Sequence, residues 1–231
     1  MRVKWLPLKL IISEALLARR LREMPFAPSD GPLSKGFRVE KVTRGTITGQ
    51  YIEQEVVDRM IRLPDGSEIQ QELVEVTVTE FRIEPERELA LEVRNGPRTL
   101  LPFIGALGAS SGFMVTVQSK VTVDLREAAR EFSRQIKIPL TVSALECSGI
   151  PLDGNVSAAL KLNGDKDVLQ AFDDLPFSSP KSSIDSLRID FTLQGAKCSV
   201  DFTKGGTAKI RAADTDFIAS CVRHAFERSL T

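Results

Sequence analysis

The chain has 231 residues, of which 42% are hydrophobic and 27% charged, a composition that excludes a mainly disordered protein. Its 31 basic and 31 acidic residues cancel, which argues against tight non-specific nucleic-acid binding. No stretch approaches the roughly 18 uninterrupted apolar residues of a membrane span, so we expect no membrane partner. Three widely spaced cysteines predict buried, reduced thiols and a cytoplasmic location; they are Cys147, Cys198 and Cys221.

The first residues could be mistaken for a signal peptide, because basic residues precede an apolar run. Lys9 and Glu14 interrupt that run, and no small-residue cleavage site follows it. We therefore interpret the segment as part of the fold. Its pattern predicts a strand over 5–12 and an amphipathic helix over 13–24, followed by a loop rich in proline and glycine that extends to residue 36.

A long hairpin is the main prediction for the first half of the chain. Its strands cover 46–63 and 68–83, and Pro64-Asp65-Gly66 forms the turn. The second strand alternates cleanly, whereas apolar residues of the first also recur at helical spacing, so a helix is the alternative there. A short strand over 89–93 and an apolar helix over 100–107 complete this half.

Residues 109–112, Ala-Ser-Ser-Gly, predict a linker, so we place one α+β domain at 1–108 and a second at 113–231. In the second domain, strands over 115–123 and 138–145 flank an amphipathic helix over 125–136, as in a β-α-β unit. A strand over 156–162, a helix over 165–172 and a loop over 176–186 follow. The chain closes with a three-stranded meander over 187–210 and a helix over 214–228.

Both halves therefore have the order strand, helix, loop, several antiparallel strands and closing helix. Met24-Pro25-Phe26, followed by Phe37-Arg38-Val39-Glu40, corresponds to Leu175-Pro176-Phe177, followed by Leu187-Arg188-Ile189-Asp190. The order of elements resembles that of a TATA-binding-protein-like repeat, in topology alone. We accordingly predict an α+β fold in which helices cover antiparallel sheets, with the hypothesis of two related β-α-β(3-4)-α halves.

The charges are segregated along the chain. Residues 1–44 carry ten basic and four acidic residues, a net charge of +6, and residues 45–94 carry five and twelve, a net charge of −7. Such blocks mark sites for oppositely charged partners or face each other within one fold. The basic block predicts nucleic-acid contacts at Arg19, Arg20, Arg22, Lys35, Arg38, Lys41 and Arg44. The acidic block predicts a partner-binding surface at Glu53, Glu55, Glu72, Glu75 and Glu80.

Catalytic signatures are missing from the sequence. The single histidine, His224, follows Cys221 by three residues, but no second pair of ligands lies nearby in sequence, so we predict no metal site. Neither a nucleophile elbow nor a glycine-rich phosphate loop occurs. We predict no catalytic residues and no cofactor.

Three hypotheses for function remain open at this point. The first is a non-catalytic adaptor that engages a protein partner, or a homo-oligomer, through a sheet surface and the charge-segregated N-terminal half. The second is nucleic-acid binding through the basic segment. The third is an enzyme or small-molecule pocket whose residues come together only on folding.

Overall fold

A computed structural model describes residues 1–28, 31, 33–43, 45–153, 156–175 and 183–231, with the backbone alone at 151–153. Strands and helices alternate irregularly along the chain. In chain order they are β1 (Arg2–Leu6), β2 (Leu8–Leu10), α1 (Glu14–Arg22), β3 (Leu33–Thr43), β4 (Thr46–Arg62), β5 (Glu68–Ile83), β6 (Leu91–Arg94), α2 (Leu101–Ser110), β7 (Val115–Val117), α3 (Leu125–Ile136), β8 (Leu140–Asp153), β9 (Val156–Asn163), α4 (Val168–Asp173), β10 (Ser183–Leu193), β11 (Ala196–Thr203), β12 (Thr207–Arg211) and α5 (Thr215–Glu227).

The chain forms two compact units. The hairpin unit is Leu8–Val117, and the C-terminal unit joins Met1–Pro7 to Gln118–Thr231. The predicted linker at 109–112 lies within the hairpin unit, where α2 ends and a turn begins. Over the described ranges, no helix is long and apolar enough to cross a membrane.

In the hairpin unit, β3, β4, β5 and β6 pair in sequence order as an antiparallel meander, and β2 pairs with β7. Four aromatic rings form its core: Phe37, Tyr51, Phe81 and Phe103, with centroids 5.1 to 6.5 Å apart. Three of these rings come from the sheet and one from α2. The cluster therefore fixes α2 against the base of the β4–β5 hairpin.

Residues 24–26, the edge strap, run along the outer edge of β3. The Phe37 N–H donates to the Met24 carbonyl (2.8 Å), and the Phe26 N–H donates to the Phe37 carbonyl (3.2 Å). A Cβ at Gly36 would lie 2.5 Å from the backbone of this strap. Glycine is required there because only a bare Cα admits so close a crossing.

In the C-terminal unit the strand order is β1-β12-β11-β10-β8-β9, with neighbours antiparallel. Helix α3 begins where the Asp124 carboxylate accepts the N–H groups of Arg126 and Glu127, and ends at Lys137 in the left-handed conformation. Its buried stripe includes Phe132, which packs edge-on against Phe202 at 5.5 Å. Helices thus cover one face of this sheet, and its other face is open.

The predicted mixture of helices and antiparallel strands is confirmed, including the meander and the strand conformation of both hairpin arms. Gln194 and Gly195 form its first turn with positive φ (51° and 81°), as a type I′ hairpin requires. The predicted strand over 115–123 is wrong beyond Val117. The β-α-β unit is also wrong, because β7 pairs with β2 whereas β8 pairs with β9 and β10.

The structure does not show the internal repeat. Strands β3 to β6 of the hairpin unit pair in sequence order, whereas the C-terminal unit places β1, from the start of the chain, beside β12. The second copy of the Pro-Phe motif, at 176–177, lies outside the described residues.

Candidate functional site

The β4–β5 hairpin extends well past the strands that flank it. Strands β4 and β5 stay paired from Ile47–Ile83 to Arg62–Glu68, but β3 accompanies β4 only as far as Glu55 and β6 accompanies β5 only from Glu80. Within the described chain, residues 68–79 of β5 thus have a strand on one side only. Such an edge presents unpaired backbone N–H and C=O groups to an incoming strand.

An exposed apolar cluster, the valine face, lies on one side of this hairpin, among the carboxylates of Asp58, Glu72 and Glu80. It consists of Val56, Val74, Val76 and Val78, which share a face because directly opposite residues and every second residue point the same way. The side chains of Val74, Val76 and Val78 are 61%, 56% and 40% exposed. Three valines exposed to solvent at successive positions on one side of a strand are typical of a contact surface and not of a solvated strand.

The opposite face, the acidic face, carries Glu53, Glu55 and Glu75 together with Arg59 and Leu73. Glu55 lies directly opposite Glu75, an arrangement in which two like charges repel. Arg59 forms an ion pair with Glu75, and the Tyr51 hydroxyl donates to Glu53 (3.1 Å). Burial, reinforced by the charge of Glu53, raises the pKa of Tyr51 well above its usual range. Residues 46–83 together carry eight acidic and three basic residues, a net charge of −5.

The structure divides the five glutamates of the predicted partner-binding surface between these two faces. Glu53, Glu55 and Glu75 share the acidic face, whereas Glu72 and Glu80 lie on the same side as the valines. Sequence reasoning identified the hairpin as charged but missed that its glutamates lie on both sides, with the three exposed valines on only one of them. The period-2 pattern contained that information, since residues 72 and 75 are an odd number apart.

The predicted nucleic-acid residues do not form one surface. Arg20 donates to the Ser111 carbonyl inside the hairpin unit, and exposed Arg19 pairs with Glu23 across one helical turn. On β3, Lys35 and Arg38 point to opposite faces, because they lie opposite Glu53 and Gln50 of β4. Arg22 and Lys41 are exposed on separate elements. Arg44 lies outside the described residues.

A different basic surface lies on the open side of the C-terminal sheet. Registers place six cations on that side of β1, β10, β11 and β12. These residues, the basic face, are Arg2, Lys4, Arg188, Lys197, Lys209 and Arg211. Among the regularly paired residues of these four strands, Asp190 and Asp201 are acidic on the same side, which leaves a net charge of +4. Asp185, at a bulge of β10, forms an ion pair with Lys204.

Asp201 is the electrostatic centre of this face. Its carboxylate accepts from Arg188 Nε (2.6 Å) and pairs with Arg211 (3.0 Å), and Lys209 lies directly opposite it. Burial opposes ionisation of Asp201, but these hydrogen bonds and charges outweigh it and lower the pKa of the carboxyl. Lys209 also lies directly opposite Arg2 on its other side, a pair of like charges.

An open cleft of about 730 Å³ lies on the same unit. Asp190, Lys197, Ser199 and Arg211 are among its lining residues. Its lining combines these charged and hydroxyl groups with apolar side chains such as Pro139 and Phe191, a mixture typical of small-molecule sites. The enzyme hypothesis stays a prediction, and this cleft is where it would apply.

The cysteines and the histidine do not gather into a cluster. All three thiols are free and buried, and burial raises the pKa of Cys221, which disfavours its thiolate. Among the described residues, no group of three or more His, Cys, Asp or Glu side chains is arranged to hold a metal ion.

No protein-family model and no curated protein matches this sequence.

Proposed function

We propose that this chain is a non-catalytic binding subunit whose β4–β5 hairpin engages a protein partner. The observation that carries the proposal is the distal half of the hairpin, where an exposed valine face adjoins an open strand edge. These two features are the requirements for binding an extended segment by strand addition.

The partner segment has a defined chemistry. Strand addition at residues 68–79 supplies main-chain hydrogen bonds, and alternate side chains of the added strand continue the valine face. The net charge of −5 on residues 46–83 favours a cationic segment and disfavours an acidic one. We therefore expect an extended segment that alternates apolar residues with Lys or Arg.

The attachment of the hairpin suits this role. Tyr51 and Phe81, at its base, pack against Phe103 of α2 with centroids 5.7 and 5.4 Å apart. The base of the hairpin is therefore held while its distal half remains accessible. A docking element held in this way loses little conformational entropy when its partner binds.

The test is a comparison of partner capture between two variants of equal charge. Val74→Lys/Val76→Lys places two cations on the valine face, and Val156→Lys with a second lysine at exposed Thr192 makes the same charge change in the C-terminal unit. Burial of a valine contributes about 1.5 kcal/mol or more, so we expect the first variant to weaken binding of a purified partner about 100-fold. The control should bind as the wild type does.

Hydrogen exchange identifies the mode of binding. Amides of residues 68–79 that point away from β4 should gain protection in the complex, because strand addition pairs them. A partner that binds the valine-face variant as tightly as the wild type would refute the proposal. Failure to recover any directly binding protein from the native source would also refute it.

A further inference from the structure

The open cleft of the C-terminal unit gathers side chains of both charges on the open side of its sheet. Asp190, Ser199 and Arg211 lie in one row across β10, β11 and β12, since each is directly opposite the next. Thr141 of β8 extends the row beyond Asp190, and Lys197 follows Ser199 on the same side of β11. All five residues line the cleft, so its polar groups are arranged around Ser199.

The spacing of this row separates the carboxylate from the cations. Directly opposite residues in a sheet are about 5 Å apart, and diagonal neighbours are about 7–8 Å apart. Asp190 is a diagonal neighbour of Lys197, and it lies two strands, or about 10 Å, from Arg211. A small ligand that carries both an amine and a carboxylate fits between these positions.

The charged groups of the cleft differ in the contacts that they already form. The Arg211 guanidinium donates to the Ser199 hydroxyl (3.2 Å) and pairs with Asp201 (3.0 Å), which fixes its position. Within the described chain, the side chains of Asp190 and Lys197 form no hydrogen bond and no ion pair, although the charge of Arg188 acts on Asp190. Asp190 is half-buried, so its carboxylate has lost part of its hydration and would gain from a cationic donor.

We infer that this cleft binds a free α-amino acid. The ammonium group of the ligand donates to Asp190, and its carboxylate accepts from Lys197 and Arg211. Charge-assisted hydrogen bonds of about 2.8 Å at each end, with the short distance between the ligand's own charges, span the gap in the row. The cleft volume of about 730 Å³ lies within the range of about 300–1,000 Å³ that is typical of small-molecule sites.

Other classes of small ligand leave some of these groups unmatched. A phosphate ester has a charge of about −2 and no cation for Asp190, and Asp201 lies beside the same row, so repulsion opposes its binding. A neutral sugar gives Lys197 no counter-charge, and a simple amine gives none to Lys197 or Arg211. Of these classes, an α-amino acid is the one that offers a partner to groups of both signs.

The inference goes beyond the proposed function, because the cleft and the hairpin belong to different units. Titration calorimetry of the full chain with each of the common L-α-amino acids provides the test. We expect at least one of them to bind with a Kd of about 1 mM or lower. Its analogue without the amine, and its analogue without the carboxylate, should each bind about tenfold or more weakly, because each loses a hydrogen bond to a charged group.

Two single substitutions assign these contacts to residues. Asp190→Asn should weaken binding of the amino acid about tenfold or more and abolish its advantage over the amine-free analogue. Lys197→Gln should have the corresponding effect on the carboxylate, so the advantage over the carboxylate-free analogue should decrease. The matched controls are Asp165→Asn and Lys166→Gln, which change exposed residues of the same unit outside the cleft and should bind as the wild type does. Circular dichroism establishes that each variant is folded.

A wild-type chain that binds none of the amino acids at about 10 mM would overturn the inference, as would equal affinity of the wild type and Asp190→Asn. Inorganic phosphate is the competing probe: if it binds, and binding is lost in Lys197→Gln while no amino acid binds, the cleft is a phosphate site instead. Val74→Lys/Val76→Lys should bind the amino acid as the wild type does. Loss of the protein partner and loss of the ligand are thus measured on separate variants, so either proposal can fail without the other.

Discussion

Truncation of Phe103 tests whether α2 holds the base of the hairpin. The side chain is 1% exposed, and its ring centroid lies 5.4 Å from that of Phe81, 5.7 Å from that of Tyr51 and 6.5 Å from that of Phe37. Buried Phe→Ala substitutions cost about 3–5 kcal/mol, and each aromatic pair contributes about 0.5–1.5 kcal/mol beyond its buried area. With three such pairs, we expect Phe103→Ala to lower the free energy of unfolding by about 4–5 kcal/mol.

The chain contains suitable probes for this measurement. Its single tyrosine, Tyr51, lies in the hairpin unit, and its single tryptophan, Trp5, lies in the C-terminal unit, so near-ultraviolet signals report the two units separately during urea unfolding. For a slope of about 2 kcal/mol per molar urea, the expected loss lowers the tyrosine midpoint by about 2 M. The tryptophan midpoint should change less.

Leu101→Ala is the matched control, because Leu101 belongs to the same helix but is 71% exposed. We expect it to alter stability by no more than about 0.5 kcal/mol. If Phe103→Ala leaves too little folded protein, Phe103→Leu, which retains most of the volume, should still cost about 1–2 kcal/mol. A cost below about 1 kcal/mol for Phe103→Ala, or equal costs for Phe103→Ala and Leu101→Ala, would refute the anchoring role of the cluster.

Three further predictions concern backbone packing and pH. Gly36→Ala should destabilise the protein, because the added Cβ would lie 2.5 Å from the backbone of the edge strap. Gly105→Ala, on α2 with open space around the added Cβ, should stabilise the protein by about 0.5–1 kcal/mol. Thermal melts of the two variants measure both effects. Folding lowers the pKa of Asp201, so the stability that this carboxylate contributes is present above the usual carboxyl range and is lost as the pH falls through the folded pKa. Asp201→Asn should therefore make stability less dependent on pH in acid unfolding followed by tryptophan fluorescence. An unchanged profile would contradict this. Folding raises the pKa of Tyr51, so the stability that the protonated phenol contributes is fully present below the ordinary phenol pKa and is lost as the pH rises above it. Tyr51→Phe should therefore be less sensitive to alkaline unfolding than the wild type. Equal sensitivity would contradict this.

Local patterns predicted the elements that carry the hairpin. Alternation of Val74, Val76 and Val78 with polar residues indicated a strand, and Pro64-Asp65-Gly66 located the turn that the structure shows between β4 and β5. The helical alternative for the first arm was wrong because pairing with two neighbouring strands overrides a spacing that also fits a helix.

The basic face could not be predicted in the same way. Its central register pairs Arg2 with Lys209, two residues at opposite ends of the chain, and alternation within a strand says nothing about which strand lies beside it. One signal was nevertheless present. Lys209 and Arg211 alternate with buried Ala208 and Ile210, so each strand separately showed a basic polar side.

The basic segment 19–44 was overestimated as a single surface because sequence clustering was taken for spatial clustering. A helix spreads successive residues around its axis, and a strand sends residues separated by an odd number to opposite faces. Arg20 therefore faces the interior of its unit, where it bonds to Ser111, while Lys35 and Arg38 diverge on β3.

The charge of the hairpin limits which contacts between copies of this chain are favourable. An open, apolar strand edge is a site for edge-to-edge pairing, which would join two β5 strands about a twofold axis. That contact brings together two hairpins of net charge −5 each. Electrostatic repulsion between the hairpins opposes it unless the salt concentration is high enough to screen their charges. The carboxylates of the hairpin thus disfavour symmetric pairing of the edges, while the edge itself remains open to a cationic strand.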